Sequence, residues 1–347
     1  MALFGRKKIT IGLDVGSGFV KAAVIDHSGS IPELTKVVMT PLADSAIVEG
    51  EVMDHEIVVD AIRQTLSATG VKTRDIVAAV GGRDVIVKKI TMERVKEQQA
   101  RELMRWEAEQ HVPFDMESVE IDFQILDPEA DGLDMNVLLV AAKRDLVEAK
   151  SQLLTDAGAP PTIIDVDAFA LHNAFERNYP DAMSGTVALL NIGNEVTNLN
   201  ILEDGVPVLT RDLVIGTRRF REDLQREQGL TSEDAEDMLR NTRTNPALDG
   251  ILISRGEEIA VGMERAATFL SSANRSFAQV RLVYACGGGS RIPGLLPWLA
   301  ERLHIPVEPA NAFARLAVRD GALEFFSLDE VAPMLMLPIG LALRSAA

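Results

Sequence analysis

The chain has 347 residues, a length that suits two or three domains, and its 47% hydrophobic and 25% charged residues are typical of a soluble globular protein. Its formal net charge of -17 argues against nucleic acid and anionic lipid as general binding partners. The single cysteine, Cys286, excludes a disulfide framework and a CxxC metal site, and it fits the reducing cytosol.

The first predicted pair of elements is a β-hairpin at 11–21, with the sequence IGLDVGSGFVK. An apolar strand ends at Asp14, a glycine-rich turn occupies 16–18, and a second strand that contains Lys21 continues to residue 26. The glycine spacing fits neither a P-loop nor a Rossmann turn. Turn amides can cradle a phosphate, a lysine adds positive charge, and a carboxylate can hold the accompanying metal. A nucleotide is therefore the first hypothesis, although most glycine-serine-glycine hairpin tips bind nothing.

A small α/β unit follows the hairpin. The sequence pattern predicts its helices at 95–111 and 143–157 and its strands at 85–90, 119–126 and 135–142. Leu103 and Trp106 have helical spacing, which predicts that they belong to the core of this unit and not to a docking surface. Pro113 and Phe114 lie in the loop after the first helix, where packing of the loop and a role in partner binding are equally open.

The region from 186 to 212 repeats the plan of the first hairpin. A strand ends at Asn191, a turn runs through Gly193 and Asn194, and two further strands follow. Asn191 lies 177 residues after Asp14, as 191 minus 14 gives. Two similar hairpins half a chain apart predict duplicated domains that face each other across a cleft.

A third glycine cluster follows a buried strand in VRLVYACGGGSRIPGL, at 280–295. Its three consecutive glycines, at 287–289, allow close approach of a flat or charged group, and Pro293 favours the start of a helix whose free amides could assist. A plain strand-to-helix turn requires fewer glycines, so ligand binding is the favoured interpretation.

The two ends of the chain do not predict a membrane span. The apolar segment at 331–343 is 13 residues long and contains Pro333 and Pro338, whereas a span needs about 20 residues. It is predicted to be a buried terminal helix. The first eight residues, MALFGRKK, could contact a membrane weakly, but a frayed terminus is the simpler interpretation.

The order DVGSGFVK, NIGNEVT and GGGS resembles the phosphate-1, phosphate-2 and adenosine motifs of the actin, Hsp70 and FtsA superfamily. Within it, RWEAEQHVPFD, CGGGSRIPGL and IGLALR resemble the PilM family of actin-like type IV pilus assembly proteins. The resemblance implies an α/β, actin-like (ribonuclease H-like) fold with two duplicated ATP-binding lobes. It also implies subdomain 1A at 1–83, an inserted FtsA/PilM-type subdomain 1C at 84–160, a second lobe (2A/2B) at 161–330 and a C-terminal helix at 331–347 that returns to 1A.

The resemblance further implies roles for the residues of these motifs. The β-phosphate would be held by Lys21 and by the amides of Gly16, Ser17, Gly18 and Phe19. The γ-phosphate would be enclosed by Gly193, Asn194, Glu195 and Val196, with Thr197 nearby. The sugar and adenine side would consist of Gly216, Thr217, Arg265, Gly287, Gly288, Gly289 and Ser290. Mg2+ would be held through water by Asp14, and Asn191 is the second candidate metal residue. For Arg265, a surface salt bridge is an almost equally good interpretation.

Catalysis is where the chain departs from the family pattern. The second hairpin normally begins with an aspartate that anchors Mg2+, whereas this chain has Asn191, whose amide keeps the shape but brings no charge. Asp165 and Asp167 resemble the helix start from which relatives orient water, and helix capping is the competing interpretation for at least one of them. ATP binding is thus expected with weak or no hydrolysis, and Asp167 is the candidate catalytic residue.

By the same resemblance, the chain is expected to be a cytoplasmic protein, peripheral at the inner face of the inner membrane, that binds ATP with Mg2+ and docks the N-terminal cytoplasmic peptide of PilN. It would link PilN to the motor and platform proteins of the pilus machine, its membrane association would be indirect, and it could form homo-oligomers. An active actin-like ATPase or phosphotransferase stays open, as does an FtsA-like division protein that polymerises at the membrane. FtsA usually ends in an amphipathic membrane helix, whereas this chain stops at LRSAA.

Overall fold

The computed structural model describes residues 8–72, 75–129, 131–240, 246–271, 280–324 and 326–344. The strands are β1 (Ile9–Val15), β2 (Phe19–Asp26), β3 (Glu33–Pro41), β4 (Ile47–Val48), β5 (Glu51–Val52), β6 (Ile76–Val80), β7 (Val85–Glu93), β8 (Val119–Ile125), β9 (Asp134–Lys143), β10 (Ile163–Val166), β11 (Thr186–Ile192), β12 (Thr197–Glu203), β13 (Val206–Leu213), β14 (Val280–Cys286), β15 (Val307–Pro309) and β16 (Ala317–Val318). The α-helices are α1 (His55–Thr69), α2 (Glu97–Glu109), α3 (Arg144–Asp156), α4 (Asp167–Asn178), α5 (Thr217–Gln228), α6 (Ser232–Arg240), α7 (Pro246–Ser271), α8 (Leu295–Leu303), α9 (Leu328–Val331) and α10 (Met336–Leu343).

The two predicted hairpins are present and share one register. In the first, β1 pairs antiparallel with β2 so that Ile9 lies opposite Asp26. In the second, β11 pairs antiparallel with β12 so that Thr186 lies opposite Glu203. Each residue of the second pair stands 177 positions after its counterpart in the first, because 186 minus 9 and 203 minus 26 both give 177. The prediction of a duplicated hairpin is therefore confirmed.

Each hairpin forms the centre of a larger sheet. The first sheet has the strand order β10-β6-β1-β2-β3-β16, and the second has the order β13-β12-β11-β14-β15. In both sheets a parallel strand adjoins the first strand of the hairpin, β6 beside β1 and β14 beside β11. Parallel strands need a crossover, and helices such as α1 supply it. Helix α1 begins where Asp54 accepts a hydrogen bond from the Ile57 amide and ends at Gly70, whose φ of 66° is left-handed.

Two helices, α4 and α10, lie in the core that joins the sheets. This core combines apolar residues of both helices with others from the first sheet, such as Ile25, and from the second sheet, such as Leu189. The helices approach so closely that a Cβ at Gly340 would stand 1.7 Å from the backbone oxygen of Ala170. Only glycine fits at that crossing, which explains a glycine within the apolar terminal segment.

The first lobe is built on the six-stranded sheet and the second lobe on the five-stranded sheet. The three-stranded unit, at 85–143, has its own sheet and core. Its strand order is β7-β9-β8, and α2 packs on one face of this sheet. Helix α3 continues directly from β9 but packs differently, because its Leu153 and Leu154 join the core of the first sheet. The unit is therefore tied to the first lobe through α3. The boundaries at 83/84 and 160/161 stay a prediction.

The expected burial of Leu103 and Trp106 is wrong. Their exposed fractions are 42% and 72%, and the face of α2 that packs on the sheet carries Ala100, Met104 and Ala108 instead. Both sets have helical spacing, so the spacing alone could not decide which face turns inward. The small alanines let the helix backbone lie close to the sheet, and the larger side chains of the other set face solvent.

The apolar terminal segment is buried, as predicted. It folds as α9, a 3-10 helix at Ala332–Leu335 and α10, and every residue from 331 to 342 is buried. Across the described ranges, no helix combines the length and the apolar character that a membrane crossing needs. The expectation for residues 1–7 lies outside the described residues.

Candidate functional site

The two hairpin tips and the glycine cluster meet at one cavity of about 690 Å³. This volume falls within the range of about 300 to 1,000 Å³ that is usual for small-ligand sites. Most of the residues predicted for the site line the cavity, namely Asp14, Gly16, Ser17, Gly18, Phe19, Lys21, Asp167, Asn191, Gly193, Asn194, Glu195, Val196, Thr217, Gly287 and Gly288.

The first hairpin tip holds a carboxylate and a lysine in direct contact. The Gly16 amide donates to the Phe19 carbonyl over 3.1 Å and closes the turn. Asp14 and Lys21 are cross-strand neighbours, and Lys21 Nζ lies 2.9 Å from Asp14 Oδ2. Because the two charges compensate each other, Lys21 contributes less positive potential to the cavity than the sequence suggests.

The second hairpin tip has the same backbone but a neutral pair of side chains. The Gly193 amide donates to the Val196 carbonyl over 2.9 Å. At the positions equivalent to Asp14 and Lys21, Asn191 Nδ2 donates to Asn198 Oδ1 over 3.0 Å. Asn198 Nδ2 in turn donates to Asp212 Oδ1 over 2.7 Å. The second hairpin therefore replaces a salt bridge with an amide relay that ends on a carboxylate.

The tips face each other, and a strap of the first lobe contributes to the lining of the cavity. Asn194 Nδ2 lies 3.4 Å from Ser17 Oγ. The strap, residues 42–52, is held by the Glu49 amide, which donates to Glu195 Oε2 over 2.7 Å, and by Asp44, whose carboxylate lies 2.8 Å from Arg221. These polar contacts keep the two lobes close together around the cavity.

Five residues predicted for the site do not line the cavity. Thr197 is buried, and its hydroxyl donates to the Ile215 carbonyl over 2.7 Å. Ser290 is also buried, and its hydroxyl donates to the Gly287 carbonyl over 2.7 Å. Gly216 and Gly289 lie behind the lining, in close contact with the second hairpin. Arg265 is exposed on α7, away from the lining residues.

The three glycines of the cluster have different environments. Gly287 has a φ of 80°, and a Cβ there would stand 2.4 Å from the Ile192 carbonyl oxygen. A Cβ at Gly289 would stand 2.1 Å from Ile192 Cγ2, whereas no atom lies within 4 Å of the corresponding position at Gly288. Packing against β11 thus accounts for two of the glycines, and Gly288 alone is open toward a ligand. A 3-10 helix at Gly288–Arg291 follows, and α8 begins only at Leu295.

Asp167 lies at the first position of α4 with its carboxylate in the cavity. Burial is the main cause that raises its pKa to about 7, and Asp14, Asp212 and Asp165 add repulsion, while Lys150 opposes the shift. Helix capping does not account for this residue, because the residue before the helix is Val166 and no side chain caps it. Gly81 is needed here, since a Cβ would stand 2.3 Å from Asp167 Oδ2.

Several charged residues of the cavity carried no sequence signal. They are Asp44, Lys150, Asp212, Arg221, Glu236, Arg240 and Arg291. Lys150 comes from α3, and burial lowers its pKa. Burial also raises the pKa of Asp212, which terminates the amide relay. These residues come from several elements that are far apart in the sequence, so only the tertiary fold brings them together.

The residues present fit a nucleotide better than a metal site made of protein ligands alone. In the ranges that the structure describes, no group of three or more His, Cys, Asp or Glu residues is arranged to hold a metal ion. Mg2+ usually keeps several waters and takes one or two carboxylates together with phosphates. A single carboxylate such as Asp14, beside turn amides, meets that requirement.

Asp167→Asn should raise the unfolding temperature at pH 8 more than at pH 5 in the absence of nucleotide. The ordinary pKa is 3.8 and the folded value is about 7, so between these values the folded protein binds a proton that the unfolded chain does not. The free energy of unfolding contributed by Asp167 therefore falls as the pH rises through this window. The gain at pH 8 should be on the order of 2 kcal/mol, because water in the cavity weakens the effect.

Calorimetric unfolding of both proteins at the two pH values measures this difference. Asp329→Asn is the matched control, since Asp329 also lies in the first turn of a helix but is exposed. An equal stability difference between wild type and Asp167→Asn at pH 5 and pH 8 would contradict the raised pKa.

Comparison with known proteins identifies the family model "Type IV pilus assembly protein PilM", which matches residues 12–346. A chain of the solved PilM-PilN type IV pilus biogenesis complex is 27% identical, with a TM-score of 0.81 over 96% of this chain and 97% of that chain. MreB5 of Spiroplasma citri bound to AMPPNP is 13% identical, with a TM-score of 0.54 over 97% and 95% of the two chains. EutJ from Carboxydothermus hydrogenoformans is 15% identical, with a TM-score of 0.53 over 98% and 90%. These two likenesses concern the fold, and the predicted two-lobed actin-like fold is confirmed.

Proposed function

The chain belongs to the PilM family of type IV pilus assembly proteins, and on that premise we propose that it binds ATP in its cleft and docks the N-terminal cytoplasmic peptide of PilN. In this proposal it works at the inner face of the inner membrane, where it links PilN to motor and platform components of the pilus machine. Membrane association would be indirect, through these partners. Self-association into homo-oligomers is compatible with this role.

The observation that carries the ATP proposal is the pair of equivalent hairpin tips on opposite sides of one cavity. The amides of Gly16 and Gly193 close their turns, so the phosphates would be held from both sides by the amides of the other tip residues, at 17–19 and 194–196. Asp14 would hold Mg2+ through water, and the cation would neutralise part of the phosphate charge. Gly288, which is open toward the cavity, suits the adenosine end.

Hydrolysis is proposed to be weak. A carboxylate at the start of the second hairpin would anchor Mg2+, but Asn191 supplies a neutral amide whose nitrogen is engaged with Asn198. Asp167 is the one observation that favours the alternative of an active ATPase, because a carboxylate with a pKa of about 7 could accept a proton from water. After burial, the charge of Asp14 is the next cause that raises this pKa, so a cation bound at Asp14 would lower it.

The partner proposal rests on the PilM-PilN relative and on the junction between the first lobe and the three-stranded unit. Lys143 Nζ lies 5.0 Å from the centre of the Phe114 ring and 2.7 Å from Asp84 Oδ1. Asp84 follows the first-lobe strand β6 and precedes β7, so Phe114 lies at this junction. An extended peptide could place apolar side chains there, and apolar anchors suit a protein with an acidic surface.

Phe114→Glu should weaken binding of the PilN N-terminal peptide by about 10-fold or more, because it replaces an apolar anchor with a charge beside Lys143. Phe114→Leu, which keeps the site apolar, should retain most of the affinity. Fluorescence anisotropy with a labelled peptide measures both affinities, and thermal unfolding shows whether each variant is folded.

Trp106→Glu is the control for this experiment, because Trp106 is an exposed aromatic side chain of the same unit. It should bind the peptide like the wild type. Loss of peptide binding in Trp106→Glu together with unchanged binding in Phe114→Glu would place the docking site on the exposed face of α2 and contradict this proposal.

A further inference from the structure

We propose that Lys150 binds the terminal phosphates of the nucleotide, a role that rests on the proposed ATP binding and adds a ligand from α3 to the two hairpins. Lys150 lines the same cavity as the hairpin tips, although it lies outside every glycine motif. The nucleotide would then contact both lobes and also the helix that leads out of the three-stranded unit.

The pairing of the other cations in the cavity supports this assignment. Lys21 is paired with Asp14 at 2.9 Å. Arg221 is paired with Asp44 at 2.8 Å and with Glu236 at 3.1 Å. Arg240 also pairs with Glu236. These three positive charges are therefore already compensated before a ligand enters.

Two basic side chains of the cavity lining, Lys150 and Arg291, remain available to bind a ligand. Within the described part of the chain, neither forms a salt bridge, and Arg291 donates to Met334 Sδ over 3.5 Å. Arg291 follows the glycine cluster, at the end of the cavity suited to adenosine. Lys150 is instead coupled electrostatically to Asp14 and Asp167, at the phosphate end. Its position therefore matches the negative charge of the β- and γ-phosphates.

The lining is acidic overall, so a phosphate ligand would need a cation such as Mg2+ beside it, and Lys150 is one of five basic side chains there. The cavity lining contains eight acidic side chains, namely Asp14, Asp44, Glu49, Asp167, Glu195, Asp212, Glu233 and Glu236. Burial lowers the pKa of the half-buried Lys150 ammonium, whereas Asp14 and Asp167 raise it, and among the described residues Lys150 forms no direct ion pair. A phosphate oxygen would supply a charge-assisted hydrogen-bond acceptor for this ammonium.

Helix α3 would connect the proposed phosphate contact of Lys150 to the three-stranded unit. Lys143 and Lys150 are seven residues apart, which corresponds to about 10 Å along the helix. Lys143 contacts Phe114 at the junction with the three-stranded unit, and Leu153 and Leu154 fix the other end of α3 in the first-lobe core. A phosphate held by Lys150 is thus bound by a helix that is anchored at both ends.

The test compares Lys150→Gln and Lys150→Met with the wild type by isothermal titration with Mg-ATP, Mg-ADP and adenosine. Both variants should bind Mg-ATP about 10- to 100-fold more weakly, because one charge-assisted hydrogen bond is lost, and adenosine should bind as before. Lys150→Arg should keep most of the ATP affinity. Arg144→Gln, which removes a positive charge from the same helix outside the cavity lining, should behave like the wild type.

Unchanged Mg-ATP affinity in a folded Lys150→Gln or Lys150→Met protein would overturn this inference, and so would equal losses for ATP and adenosine. A selective loss of ATP affinity in Arg291→Gln but not in the Lys150 variants would assign the phosphates to Arg291 instead. A wild-type protein that binds no ATP would contradict the proposed function itself, so the two failures are distinguishable.

Discussion

Asp14→Ala is expected to lower the affinity for Mg-ATP about 100-fold or more. The substitution removes the carboxylate that would hold the hydrated cation, and hydrogen bonds to a charged group contribute about 1.5 to 3 kcal/mol each. It also releases Lys21 from its salt bridge over 2.9 Å. The freed ammonium can then attract phosphate directly, so the affinity for metal-free ATP should fall little or increase.

Titration of ATP with and without Mg2+ separates these two effects. The matched control is Asp60→Ala, which removes an aspartate whose side chain is 76% exposed on α1. The control should bind Mg-ATP like the wild type. Equal losses of affinity with and without Mg2+ in Asp14→Ala would show that Asp14 supports the fold of the hairpin and not the cation.

Asn191→Asp is expected to increase ATP hydrolysis by about tenfold, which corresponds to a barrier lowered by about 1.4 kcal/mol. The new carboxylate would stand at the position equivalent to Asp14 and could bind Mg2+ and orient water. The substitution should also lower the stability of the fold, because an aspartate cannot donate to Asn198 Oδ1 as Asn191 does. Asn198 cannot simply rotate its amide, since its nitrogen already donates to Asp212.

Without nucleotide, the Asn191→Asp variant should therefore be less stable than the wild type by about 1 to 3 kcal/mol, the cost of an unsatisfied buried polar group. Mg-ATP should restore much of that loss. Asn191→Asp combined with Asn198→Lys reproduces the Asp14–Lys21 pair of the first hairpin and should recover stability without the nucleotide. Steady-state phosphate release and thermal unfolding measure the two effects, and unchanged turnover in a folded Asn191→Asp protein would contradict the role given to Asn191.

The parts of the site predicted from sequence are those that local chain geometry determines. A hairpin tip needs only a strand, a glycine turn and a second strand, so both tips could be predicted, and their constant spacing of 177 residues revealed the duplication. The sequence could not show that Lys21 pairs with Asp14, because cross-strand contact depends on register. It also could not show that Gly287 and Gly289 are required by packing against Ile192.

The parts that were missed depend on contacts between distant segments. Lys150 on α3, Asp212 at the end of β13 and Arg221 on α5 reach one cavity only after the lobes have packed. Arg265, which the resemblance assigns to the adenine, is exposed on α7, and its role stays a prediction. Trp106 illustrates the same difficulty within one helix, because periodicity shows which residues share a face but not whether that face is buried or exposed.

The central claim is that the cleft holds ATP and cleaves it slowly. The most direct measurement mixes purified wild-type protein, in excess, with radiolabelled ATP and Mg2+, isolates the bound nucleotide after increasing times and separates ATP from ADP. The protein should retain the label as intact ATP over many minutes. Absence of retained nucleotide, or conversion to ADP at about 1 per second or faster as in ordinary enzymes, would contradict it.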